Sequence, residues 1–166
     1  TFLLHGVTGS GKTEVYLHLA KRCLEQGTTA LILIPELSLT PQFVRRYYAV
    51  FGEDLAILHS GLGRGERTDE WLRVLRGEAK VVLGTRLSIF APLKDLSLIV
   101  IDEEHESTYK QDVAPRYHAR EVAVQRARFE HANLEAANLR HANAVKTSFE
   151  GANLEGVDLE GAKLVE

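Results

Sequence analysis

The chain has 166 residues, 45% hydrophobic and 26% charged, with a net charge of −3. That size fits one domain, or one with a small appendage, and that apolar content fits a globular protein with a real core. The balance excludes a uniformly basic nucleic-acid surface, the single Cys23 excludes an internal disulfide or a cysteine zinc site, and apolar runs as short as Ala30–Ile34 exclude a membrane span.

No basic segment followed by an apolar one opens the chain, so a cytoplasmic protein without a membrane partner is expected. The chain begins at Thr1 without Met and reads as a piece of a longer protein.

In chain order, Phe2–His5 reads as a strand, followed by the glycine-rich run Gly6-Val7-Thr8-Gly9-Ser10-Gly11-Lys12-Thr13. A helix is predicted over Lys12–Gln26, with Cys23 as a small buried residue. Ala30–Ile34 reads as a fully apolar strand, Thr40–Phe51 as a helix and Leu55–Leu58 as the next strand. The Gly65–Leu75 pattern is helical, and Trp71 packs it on the sheet. Arg64, Arg67, Arg73 and Arg76 interleave there with Glu66, Asp69 and Glu70, which reads as a solvated face. Strands at Lys80–Leu83 and Leu98–Asp102 and a helix at Ala119–Arg126 complete this part. Apolar strands alternating with helices predict an α/β fold with a mostly parallel sheet covered on both faces. The expected form is a RecA-like P-loop NTPase domain, with nucleotide beyond the carboxyl ends of the strands.

Two motifs fall at those ends. In the glycine-rich loop, backbone N–H groups can close around phosphates while Lys12 reaches the β/γ-phosphates and the Thr13 hydroxyl holds Mg²⁺. The second, Ile99-Val100-Ile101-Asp102-Glu103-Glu104-His105, is an apolar strand ending in acids, where a metal-binding Asp and a water-activating Glu are needed. ATP and Mg²⁺ are therefore the expected cofactors.

Near residue 127 the period changes to five: Ala132-Asn133-Leu134-Glu135-Ala136 is followed by Ala137-Asn138-Leu139-Arg140-His141, and later by Ala152-Asn153-Leu154-Glu155-Gly156. Five does not match the 3.6 of a helix. The pattern resembles the pentapeptide-repeat family. That resemblance implies a short right-handed quadrilateral β-helix of about two coils over 127–166, which follows the RecA-like domain of residues 1–126. The segment carries 4 basic and 7 acidic side chains, against 16 of each before it.

The front part carries further blocks: Ile34-Pro35-Glu36-Leu37-Ser38-Leu39-Thr40-Pro41-Gln42, Leu58-His59-Ser60-Gly61-Leu62, Gly84-Thr85-Arg86-Leu87-Ser88-Ile89-Phe90, and Tyr109-Lys110-Gln111 ahead of Pro115-Arg116-Tyr117-His118-Ala119-Arg120. In this order they resemble the first motor domain of the bacterial replication-restart, or primosomal, helicases of superfamily 2. The resemblance implies that Gly9, Ser10, Gly11, Lys12 and Thr13 bind the nucleotide phosphates, and that Thr13 and Asp102 hold Mg²⁺. Lys12 and Glu103 are its implied catalytic groups, Glu103 acting on the attacking water, while His105 couples the site to DNA-contacting parts. Thr40, Thr85 and Arg86 are implied DNA-backbone contacts. Tyr109, Lys110, Arg116, Tyr117 and His118 form an implied loop that senses single-stranded DNA by stacking and charge.

Plainer roles stand beside these: an N-cap for Thr40, a surface ion pair for Arg86, a polar cleft residue for His105 and a packed loop for the aromatic cluster. DNA and primosome proteins are the implied partners. The family's second motor domain, arginine finger and zinc region have no counterpart in these residues. The expectation is a half-motor that binds ATP without unwinding DNA. The alternative is a non-enzymatic interaction protein working through the acidic repeat segment.

Overall fold

The computed structural model describes residues 3–6 and 10–129, with side chains to residue 127. Its contacts divide the chain into Thr1–Ala123 and Val124–Glu166. Of the second unit, the described part is the end of a helix. The predicted β-helix over 127–166 lies almost wholly outside the described residues.

The first unit is an α/β layer structure. Helix α1 (Lys12–Glu25) leads to strand β1 (Thr29–Leu33), helix α2 (Pro41–Phe51), strand β2 (Leu55–Leu58), helix α3 (Arg64–Leu75), and strands β3 (Val81–Gly84) and β4 (Leu96–Ile101). A two-stranded hairpin of β5 (Lys110–Gln111) and β6 (Tyr117–His118) precedes α4 (Ala119–Phe129). The four longer strands form one sheet in the order β2-β3-β1-β4, every pair parallel.

Alternation along the strands sends successive side chains to opposite faces. Ala30, Ile32 and Ile34 meet Tyr16, Leu17 and Ala20 of α1 and Tyr47 and Phe51 of α2 on one side. Leu31 and Leu33 join Val74, Ile89, Tyr109, Ala119 and Ala123 on the other, with Trp71 half-buried against them. Cys23 is buried, as its place on α1 predicts. Thr40 caps α2: its hydroxyl accepts the Phe43 N–H at 3.3 Å, with Pro41 at the first helical position.

Two expectations need correction. Residues 3–5 are not a strand, and Leu3 and Leu4 stand 80% and 47% exposed. An apolar run signals a preference for burial but supplies no partner, and a strand exists only through its ladder. Nor is the charged side of α3 uniformly solvated. Glu70 accepts the Ile57 N–H at 2.9 Å, and Arg73 donates to Glu70 at 2.8 Å and to the carbonyl of Leu55 at 3.3 Å. These two side chains cover the outer edge of β2, which has no neighbouring strand there among the described residues.

Candidate active site

Both sequence motifs meet at the carboxyl end of the sheet. Gly11, with φ of +88°, turns the chain into α1 in the left-handed region, where a side chain would strain the backbone. Lys12 opens the helix. Its ammonium donates to the Gly6 carbonyl at 2.7 Å and lies 3.4 Å from Glu103 Oε1. A residue of the glycine-rich run and one of the acidic run, ninety-one positions apart in sequence, thus form an ion pair. Ser10 is exposed and Thr13 half-buried on the first turn of α1. Gly9 lies outside the described residues.

Asp102 follows the last residue of β4, and its N–H is bound to the Leu33 carbonyl at 2.9 Å. Its carboxylate is buried, and Oδ1 accepts from the Tyr16 hydroxyl at 3.1 Å and from the Glu103 N–H at 3.2 Å. Burial pushes the Asp102 carboxyl above the ordinary carboxylate range. The Tyr16 hydrogen bond opposes that rise, the Glu103 charge adds to it and Lys12 counters it. Glu103 has φ of +45°, an uncommon backbone state for a residue with a side chain. This sharp exit from the strand accompanies a division of labour. Asp102 faces α1 and Glu103 faces the lysine. His105 is exposed, with Nε2 3.8 Å from Glu103 Oε2.

Hard oxygen donors suit Mg²⁺, and a buried carboxylate gains from a nearby cation. Thr13 lies three residues before Tyr16, so both side chains project from the same side of α1. The Asp102 carboxylate and the Thr13 hydroxyl are donors of the kind a hydrated divalent ion takes.

The other predicted residues separate. Tyr109 is 1% exposed, and its hydroxyl donates to the Asp102 carbonyl at 2.7 Å. That leaves the ring no open face in this structure. Thr85 is 2% exposed beneath the 3-10 turn Arg86–Phe90 and is likewise closed to a DNA backbone in this structure. Among the described residues, Arg86 forms no ion pair. Its guanidinium donates to the carbonyls of Thr108 and Lys110 at 3.1 and 2.7 Å, tying down the start of the hairpin.

The hairpin side chains do gather. Lys110, Asp112, Arg116, Tyr117, His118 and Glu121 line one open groove of about 510 Å³. Lys110 pairs with Asp112 at 3.0 Å, and Tyr117 stacks edge-on against Phe90 at 5.1 Å. Phe90, 49% exposed, is an aromatic that sequence reasoning missed; it lay in a block read for Thr85 and Arg86 alone.

Tyr16 was missed as well. Its signal was present, because a tyrosine in a buried helical stripe usually finds a partner for its hydroxyl.

The description of the DEAD/DEAH box helicases matches residues 1–131. The chain belongs to this helicase family. Its N-terminal three quarters are similar to the replication restart protein PriA. Identity is 56% to the PriA of Bacillus subtilis (strain 168) over 126 residues, which are 76% of this chain and 16% of that protein. Identity is 53% to the Synechocystis protein over 129 residues, 77% of this chain and 16% of that protein. For the Treponema pallidum protein it is 49% over 126 residues, 76% of this chain and 19% of the relative. The chain therefore spans less than a fifth of each. Pentapeptide repeats, in eight copies, match residues 125–165. The α/β layout with its parallel sheet is consistent with a RecA-like helicase domain. Among the described residues, no helix is long and apolar enough to cross a membrane.

Proposed function

We propose that residues 1–126 are the ATP-binding half of a 3′→5′ DNA helicase or translocase of replication restart, joined to a pentapeptide-repeat segment over 127–166. The observation that carries this reading is the Lys12–Glu103 pair at 3.4 Å, which brings the phosphate loop against the acidic run with buried Asp102 beside it. Phosphoryl transfer asks mainly for positioning and charge stabilisation. Gly9, Ser10 and Gly11 cradle the phosphates, and Lys12 leaves Gly6 and Glu103 to meet the β/γ-phosphates. Glu103, released from that pair, orients and deprotonates the attacking water. Thr13 and Asp102 hold Mg²⁺, which supplies charge neutralisation across the phosphates.

His105 sits next to Glu103 and is the coupling residue of this reading. Lys110, Arg116, Tyr117 and His118 offer DNA a mixed cationic and aromatic surface, with Thr40 at the start of α2. DNA and primosome proteins are the proposed partners. This half of a motor binds Mg·ATP and, taken alone, does not separate strands, since an arginine finger supplied from elsewhere is worth about 10³–10⁵ in rate.

The test is a titration of the purified chain with a fluorescent ATP analogue and Mg²⁺, beside Lys12→Ala. Saturable binding lost in the variant is expected. Equal binding by both, or by neither, removes the reading, and strand separation by the chain alone removes its limit to nucleotide binding. A second reading has its own support in the eight repeat copies: an interaction protein working through an acidic coil. Binding to a topoisomerase that is lost on deletion of residues 127–166 would favour it.

A further inference from the structure

Tyr16 is buried in the α1 stripe among apolar residues, where a phenylalanine would fill the same space. Its hydroxyl spans 86 positions to Asp102 Oδ1, at 3.1 Å. Among the described residues, both hydrogen bonds to this carboxylate fall on Oδ1, one from Tyr16 and one from the Glu103 N–H. A carboxylate anchored through one oxygen keeps a fixed rotamer and offers its other oxygen in a set direction. From below, the Tyr109 hydroxyl holds the Asp102 carbonyl at 2.7 Å, so the backbone that carries the carboxylate is pinned too.

We infer that Tyr16 is a positioning residue for the divalent cation: it orients Asp102 by occupying Oδ1, so that Oδ2 faces the ligand side of the pocket. This rests on the nucleotide reading above. The same helix supplies the loop lysine, Thr13 and Tyr16 within its first two turns. A shift of α1 therefore moves the phosphate-binding end and the acid's anchor together. Groups that orient a metal ligand commonly change metal affinity about 10- to 100-fold when removed, whereas a hydroxyl serving only the core changes the fold and not the cation requirement.

The experiment titrates Mg²⁺ against the full chain at a fixed concentration of fluorescent ATP analogue, with a parallel nucleotide titration in EDTA. Tyr16→Phe is expected to raise the half-saturating Mg²⁺ concentration about 10-fold or more and to leave nucleotide binding in EDTA unchanged. Tyr47→Phe, which removes another buried hydroxyl from the same core, serves as control and keeps the original Mg²⁺ requirement. In the Asp102→Asn background, Tyr16→Phe is expected to add no further loss. An unchanged Mg²⁺ requirement in Tyr16→Phe, or an equal weakening with and without EDTA, overturns the inference while the nucleotide reading stands. Absence of nucleotide binding by the unsubstituted chain overturns both.

Discussion

Tyr47 lies fully buried on α2, and its hydroxyl has no hydrogen-bond partner among the described residues. Burial, with the Asp102 charge nearby, pushes this phenol far above its ordinary range. The ring is useful, stacking obliquely between Phe43 and Phe51 at 5.1 and 6.2 Å. The oxygen is a burden, since an orphaned buried donor costs roughly 1–3 kcal/mol. Tyr47→Phe keeps the ring contacts and removes the orphan. It should stabilise the chain by about 1 kcal/mol, visible as a melting temperature a few degrees higher. A lower melting temperature would mean that an ordered water satisfies the hydroxyl. Tyr16 is the opposite case: its hydroxyl is spent on Asp102, and losing it leaves the buried carboxylate with one donor fewer.

At the scale of elements, the outer edge of β2 depends on α3. A strand at the end of a sheet presents unpaired backbone groups that invite other chains. Glu70 takes the Ile57 N–H, while Arg73 takes the Leu55 and Glu53 carbonyls, and the two hold each other at 2.8 Å. Both side chains are mostly covered, so water does not readily replace these bonds. Glu70→Ala should cost about 1–3 kcal/mol and promote aggregation on heating. Glu70→Gln keeps an acceptor for Ile57 and should cost less. Urea unfolding and light scattering check both, and equal stability of Glu70→Ala and the unsubstituted chain would show the edge needs no such cover. Charge alternation along α3 could not announce this role. Periodicity says which residues share a helix side, but which side meets a strand edge is decided by packing.

Across the whole molecule, what could be read beforehand is what local chemistry dictates. The strands of the main sheet after Phe2–His5 announced themselves by apolar runs, the helices by period and by caps such as Thr40, and the two motifs by residue types that phosphate and metal demand. Pairing was less legible, since Phe2–His5 has the composition of a strand without a ladder in residues 3–5. Burial of single aromatics was hidden as well: Tyr109 and Tyr117 look alike in sequence, yet one lies under Asp102 and the other on a groove. Among the described residues, those that form both faces of the core lie between Tyr16 and Ala123. A chain ending at Phe129 should therefore keep its cooperative melt, with a midpoint within a few degrees of the full chain, and the same affinity for the ATP analogue. Circular dichroism melts and the nucleotide titration test this together. A truncated chain that loses its cooperative transition would make the repeat segment part of the motor's fold. A truncated chain that melts normally but binds nucleotide less tightly would make that segment a contributor to the site.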